Sequence, residues 1–457
     1  MARIGLIGEN SIEYVRHLLE IWRDGDCAVM IDWRIPLKTA CKMLKLAGAQ
    51  KCLIGSSALG DRTETRNGIT FLHFKYKVET AKLPPEVYDS YRRCPHKGEA
   101  VILFSSGTTG MAKGILLSHQ ALTANIEAIC DYMHPGEQDV FYIAKALSHS
   151  STLTGELLAA LHTGAGVILA PTMAPPRYIW QQVARFGVTI MGTNPTLLRL
   201  LVQDAQQGQS IPACLQKIYV SGAVLNTELA RQAQTLFKGC ALYNVYGLSE
   251  AGPRVAAQTA QYHSLGSVGR PIKGVKVAIA SAQGQMLSAG KKGYVHVKTP
   301  SLFCGYLNAQ VRRSLLGEAW FNTGDVGYVN ALGELFILGR ADEMIVHDAH
   351  NIYPSEVEAQ IAQYPGVTQC VVFGVDDRAS GQRLIAYITG RQAILAKALR
   401  HFCLERMGSY EVPSEFIQVD KIPVTPAGKV SRKLLARVYW ECREKESACE
   451  RRELHWT

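Results

Sequence analysis

Short apolar runs alternating with helix-patterned stretches constrain this chain most. Residues 4–7, 28–31, 51–54, 100–104, 166–170, 189–191 and 217–220 each read as a strand. Between them lie segments such as residues 11–22, whose apolar positions Ile12, Val15, Leu18, Leu19 and Trp22 recur at helical spacing behind a suitable cap, Ser11. Strands separated by helices assemble into parallel sheets with helices on their faces. The predicted fold class is therefore α/β, with layered α/β subdomains in a large N-terminal domain. At 457 residues the chain exceeds one ordinary domain.

After about residue 265 the texture changes. Gly269, Gly274, Gly284, Gly290, Gly293 and Gly305 punctuate short strands, which predicts a small β-rich subdomain over about residues 265–338. Residues 341–457 then read as a small α+β domain. It is expected to hold a helix at 354–364, strands at 369–375 and 384–388, a helix at 393–407 and a strand at 415–419. The predicted division is 1–340 and 341–457.

The strand at 100–104 delivers the loop Ser105-Ser106-Gly107-Thr108-Thr109-Gly110-Met111-Ala112-Lys113-Gly114. Its glycines permit close backbone approach. Successive N–H groups, four hydroxyls and one ammonium suit a polyphosphate. It is not a Walker A loop, because Ala112 and Gly114 stand where that pattern needs glycine and a hydroxyl.

Composition narrows the class. A hydrophobic fraction of 47% and a charged fraction of 19% are those of a globular enzyme. The net charge of +10 is spread, with no basic stripe interleaved with aromatics, so a nucleic-acid partner is not expected. Twelve cysteines are scattered without a C-x-x-C pair, which fits reduced, mostly buried thiols and a cytoplasmic home. No apolar stretch approaches the length of a membrane span.

Further segments follow in order: Ser221-Gly222-Ala223, Tyr246-Gly247-Leu248-Ser249-Glu250, Thr323-Gly324-Asp325, Gly339-Arg340-Ala341-Asp342 and Pro426-Ala427-Gly428-Lys429. Together with the loop at 105–114, they resemble the signature motifs of the adenylate-forming superfamily, which holds acyl- and aryl-CoA synthetases, peptide-synthetase adenylation domains and beetle luciferases. The resemblance covers nearly the whole chain and is closest to acyl- or aryl-CoA ligases. Two departures are Ala112, where proline is usual, and Ser249, where threonine is usual. Members also carry some tens of residues ahead of the equivalent of Ile4, so one peripheral packing element is expected to be shortened or missing.

The resemblance implies roles. Ser105, Ser106, Gly107, Thr108, Thr109, Gly110 and Lys113 would hold the phosphates of ATP. Gly222 and Ala223 would lie against the nucleotide, Tyr246 and Gly247 against adenine, and Ser249 near phosphate. Glu250 and Thr108 would bind Mg2+. Asp325 would accept the ribose hydroxyls, with Arg340 beside it. Asp342 would be the hinge of a mobile lid domain, and Lys429 the catalytic lysine of that lid. His149, in Ala146-Leu147-Ser148-His149, would sit at the acyl pocket as a catalytic-site residue with Thr193, Asn194 and Ser221. The Phe-Asp pair of amino-acid-activating members is absent, which implies a non-amino acid, fatty or aryl.

The implied activity is ATP-dependent formation of acyl-AMP and pyrophosphate, then transfer to a thiol. Coenzyme A is the expected acceptor, a carrier-protein phosphopantetheine the alternative. A non-catalytic regulator that binds nucleotide or acyl ligand is the rival from another class, and a luciferase-like oxidation the remote one. In Val346-His347-Asp348-Ala349-His350, Asp348 and Ala349 replace glycines that line the thiol's approach in relatives. A monomer or homodimer is expected.

Overall fold

The computed structural model describes residues 1–56, 62–105, 113–172, 174–308, 314, 316–317, 319–348, 350–377, 380–423 and 430–453. The chain divides into two compact units. One comprises Met1–Leu225, Leu229–Thr323 and Tyr328–Phe336; the other comprises Asn226–Glu228, Gly324–Gly327 and Ile337–Thr457.

Two eight-stranded sheets build the first unit. In one the order is Gly305–Tyr306, Lys113–Ser118, Glu99–Ser105, Cys27–Asp32, Arg3–Gly8, Lys51–Ser56, Ile69–Lys75, Thr63–Arg66. From Glu99–Ser105 to Ile69–Lys75 the pairing is parallel throughout. Cys27–Asp32 is buried along almost its whole length, as a parallel strand covered on both faces must be. Ser11 caps the helix Ile12–Arg23 by accepting from the Tyr14 N–H, and Trp22 anchors its inner face by donating to the Ala100 carbonyl at 2.9 Å. At the sheet's edge a hairpin joins Thr63–Arg66 to Ile69–Lys75 through Asn67-Gly68, both at positive φ. That dipeptide is the sequence signature of a two-residue turn, and the strand reading passed over it.

The second sheet runs Arg270–Pro271, Arg254–Ala257, Ala241–Gly247, Lys217–Val220, Ile190–Thr193, Val140–Ile143, Gly166–Leu169, Ala81–Lys82. Its central strands are again parallel. Trp180, Val183, Leu198, Leu201, Ile218 and Phe237 pack one face into a dry core. Because parallel strands point the same way, their C-terminal ends share one edge, where ligand sites of such sheets form. Four strands, Lys276–Ala280, Gly293–Lys298, Phe321–Val329 and Leu335–Arg340, make the expected small sheet, in that order.

The second unit centres on the long antiparallel pair Val367–Asp377 and Gly381–Gly390. Successive side chains point to opposite faces. Val372, Leu384, Ala386 and Ile388 meet Val357 and Ile361 of the helix Pro354–Ile361 and Leu399 of Ala396–Leu404. Phe373, Val375, Ile385 and Tyr387 meet Leu435 and Tyr439 of a terminal helix, Arg432–Glu453. The expected elements end at the strand over 415–419 and do not include this helix. Conversely, the helix expected over 393–407 spans only Ala396–Leu404. Its forerunners are held out of helical bonding by Gln418, which accepts from the Ile394 N–H and donates to the Gln392 carbonyl.

Among the described residues no helix is long and apolar enough to cross a membrane. The described cysteines are free; Cys27, Cys41, Cys52, Cys94 and Cys403 are buried, whereas Cys304 and Cys442 are exposed.

Candidate functional site

The shared edge of the second sheet carries several of the predicted residues of the first unit, while Lys113 begins a strand of the first sheet. Lys145 to His149 follow Val140–Ile143, Thr193 and Asn194 end Ile190–Thr193, Ser221 follows Lys217–Val220, and Tyr246 to Glu250 end Ala241–Gly247. Two of these segments are fixed by asparagine side chains. Asn10 donates to the Lys145 carbonyl at 2.9 Å and accepts from the Leu147 N–H at 3.1 Å, which shapes the loop before His149. Asn125 accepts from the Arg254 N–H and donates to the carbonyls of Arg254 and Ala251, which holds the turn after Glu250. Gly247 permits a close crossing: a Cβ there would lie 1.9 Å from the Pro253 carbonyl oxygen.

These contacts bring the motifs together. Ser150, beside His149, and Ser249 share a hydroxyl hydrogen bond of 2.8 Å. Tyr306 donates to Glu250 Oε1 at 2.6 Å, and Lys113 Nζ lies 5.3 Å from the same ring's centre. One aromatic residue thus joins the phosphate-loop lysine to the predicted metal carboxylate. His149 Nε2 stands 3.5 Å from Asp32 Oδ2. Burial alone would push the Asp32 carboxyl up, but the hydrogen bonds from Arg34 bring it below its ordinary range, so it stays ionised. Tyr306 and Asp32 were absent from the sequence reading, since neither lies in a motif and both act across the fold.

Two pocket candidates have other local work. Asn194 caps the helix Pro195–Gln206, its side chain accepting from the Leu197 N–H at 2.8 Å. The Thr193 hydroxyl donates to the Asn194 carbonyl at 3.3 Å. Ser221 accepts from Lys145 Nζ at 3.4 Å. Gly222, next to Ala223, adopts φ +95°, a backbone state that favours glycine.

In the second unit, Arg340 Nη1 lies 3.2 Å from Asp325 Oδ1, and its Nε lies 3.5 Å from Asp342. The guanidinium therefore spans two predicted carboxylates, and Asp325 is buried while holding its charge partner. Asp348 takes a left-handed φ of 47°, the conformation the family's glycine would adopt freely and aspartate tolerates. Arg432, three residues after Lys429, donates to Glu343 and Glu358 at 2.8 Å each and to the Val372 carbonyl. Lys429, Ala349, Ser106, Gly107, Thr108, Thr109, Gly110 and the Ser105 side chain lie outside the described residues.

The donor set suits magnesium in one particular way. Among the described residues no three His, Cys, Asp or Glu side chains gather to cage a metal. At nucleotide sites Mg2+ is held by one or two carboxylates with phosphate oxygens and waters completing the shell, a mode for which Glu250 would supply the carboxylate.

A model of the AMP-binding enzyme family matches residues 2–307, and one of the AMP-binding enzyme C-terminal domain matches 356–429. The chain is 32% identical to a sulfoacetate–CoA ligase of Cupriavidus necator over 73% of this chain and 66% of that protein. It is 30% identical to a 2-succinylbenzoate–CoA ligase of Bacillus licheniformis over 73% and 69%. A fatty acid–[acyl-carrier-protein] ligase of Streptomyces coeruleorubidus is 24% identical over 96% and 87%. The matches to the two CoA ligases thus span about two thirds of those proteins' own length. The fold is shared with ATP-bound MatB from Rhodopseudomonas palustris, with a TM-score of 0.83 at 22% identity, covering 96% of this chain and 88% of that one. With a family model covering residues 2–307, the chain belongs to the AMP-binding, adenylate-forming enzymes.

Proposed function

We propose that this protein is an acid–thiol ligase that activates a non-amino carboxylic acid with ATP and transfers the acyl group to coenzyme A. A carboxylate oxygen attacks the α-phosphorus, the bond to the pyrophosphate oxygen breaks, and acyl-AMP forms. The thiol then attacks the acyl carbon, and AMP leaves. The observation that carries the reading is the chain Lys113–Tyr306–Glu250, with Ser249 beside Glu250. Lys113 supplies a positioning charge for the β- and γ-phosphates. Glu250 holds Mg2+, which neutralises phosphate charge when bound. Ser249 contacts phosphate, and Tyr246 stacks on adenine against Gly247, Gly222 and Ala223. Asp325, oriented by Arg340, receives the ribose diol. Lys429 brings an ammonium to the charge growing at the α-phosphate, and Asp342 absorbs the backbone change between the two half-reactions.

The two CoA-ligase relatives are named for sulfoacetate and 2-succinylbenzoate, each an acid with a second acidic group, which supports a polar, doubly acidic substrate over a long fatty one. The acyl-carrier-protein ligase supports the second reading, in which phosphopantetheine replaces coenzyme A. Acid-dependent exchange of labelled pyrophosphate into ATP tests the first half-reaction across fatty, aryl, dicarboxylic and amino acids, and adding CoA and assaying thioester tests the second. Lys429→Ala is expected to lower exchange by about 100-fold or more. Absence of exchange with every acid would overturn the proposal.

A further inference from the structure

Beside the predicted acyl-pocket residues lies a charged cluster that acid activation itself does not require. Lys145 Nζ sits 2.7 Å from Glu156 Oε1, their side chains only 13% and 6% exposed. Lys145 also donates to Ser221, one of the pocket residues. Glu156 belongs to a π-helical stretch, Leu153–Leu158, buried along its length. Such departures from α-helix concentrate at functional sites. The Glu156 carboxylate occupies the space a side chain at 192 would take: a Cβ on Gly192 would lie 2.4 Å from it. Gly192 directly precedes Thr193 in the strand that ends at the pocket.

A third charge completes the cluster. Arg254 is buried, its Nη2 would lie 2.6 Å from a Cβ on Gly155, and its charge acts on Glu156. Glu156 Oε2 and Arg254 Nε are both buried without a hydrogen-bond partner. Two cations therefore face one carboxylate in the interior. An unbalanced buried charge is costly, and an anion that enters the cluster relieves it. An ammonium has three donors, of which Glu156 and Ser221 take two.

Resting on the acid-activating reading above, we propose that Lys145 is a specificity-determining residue that binds a second acidic group of the substrate, a carboxylate or sulfonate remote from the carboxylate that is adenylated. A compact ammonium accepts either anion, since it imposes no bidentate geometry. Glu156 holds the ammonium in place, Gly192 leaves room for Glu156, and Arg254 keeps the cluster's net charge positive. The substrate class is then short dicarboxylic or sulfonated carboxylic acids.

The test is pyrophosphate exchange on the full chain with matched pairs: malonate, succinate, glutarate and sulfoacetate, each against the monoacid of equal length, and phthalate against benzoate. For at least one pair, kcat/KM of the wild type is expected to favour the doubly acidic member by about 100-fold, carried mainly by KM, as for a site built around a charged hydrogen bond. Lys145→Met should collapse that ratio to within a few-fold, and Lys145→Arg should recover part of it. Because Lys145→Met leaves Glu156 without its partner, Lys145→Met combined with Glu156→Gln is measured alongside, with the same collapse expected. Equal use of mono- and diacids by the wild type overturns the subsite and leaves acid activation standing. So does an equal loss for both members of a pair in the variants. Exchange with no acid at all overturns acid activation, and the subsite with it.

Discussion

A phenol that donates to a carboxylate at 2.6 Å makes a charge-assisted bond, stronger than its neutral counterpart. Tyr306→Phe keeps the ring beneath Lys113 but frees Glu250 to turn. We expect kcat/KM to fall about tenfold, with a higher Mg2+ requirement, on the scale of one hydrogen bond to a charged group. His119 makes a separate, acid-sensitive contribution to stability. Its ring packs edge-on against Trp22 at 5.0 Å and lies near His96. Burial first, then the His96 charge, pushes its pKa down from 6.5 to about 4. The folded state therefore binds fewer protons than the unfolded one, so stability is full above pH 6.5 and declines as pH falls toward 4. Urea unfolding across that window should show a loss of up to about 3 kcal/mol, flattened in His119→Phe. At this scale the sequence exposed residues inside motifs and hid those defined by partners. Glu250 and Asp325 were legible from their neighbours, while Tyr306, Asp32, Lys145 and Glu156 owe their significance to groups tens of residues away.

Elements in this fold are set by local pattern and corrected by tertiary bonds. Ser11 caps its helix as the sequence indicates, because a cap is a contact three residues long. The helix Ala396–Leu404 is shorter than its pattern because Gln418, in another strand, claims the preceding backbone. The terminal helix Arg432–Glu453 is secured at its start by Arg432. That guanidinium ties the segment after Lys429 to Glu343 and Glu358, both at 2.8 Å. Burial pushes the Glu358 carboxyl up, and Arg432 opposes that shift. Arg432→Met removes the cation from two half-buried carboxylates, leaving Glu358 with the Val372 N–H, and should destabilise the second unit by about 1–3 kcal/mol, read as a lower denaturant midpoint. Gly247→Ala is expected to fail more completely, since its Cβ meets the Pro253 backbone and nothing flexible can yield. Loss of soluble expression or of exchange activity would register that clash.

The whole molecule holds separate cores. The apolar cluster around Trp180 and Phe237 belongs to the first unit, and those around Val372 and Phe373 belong to the second. Calorimetry should resolve two transitions, with Arg432→Met lowering only the one assigned to the second unit. By itself the sequence determined what repeats locally or sits in contiguous motifs: the alternation of strands and helices, the caps, the family and the reaction class. These features depend on side-chain periodicity and on groups a few residues apart, which the order of residues states directly. Tertiary structure alone decided the order of strands in each sheet and the gathering of Lys145, Glu156, Gly192 and Arg254 into one charged cluster. Burial and charge balance are properties of a packed interior, and they acquire a value only when distant segments share the same few ångströms.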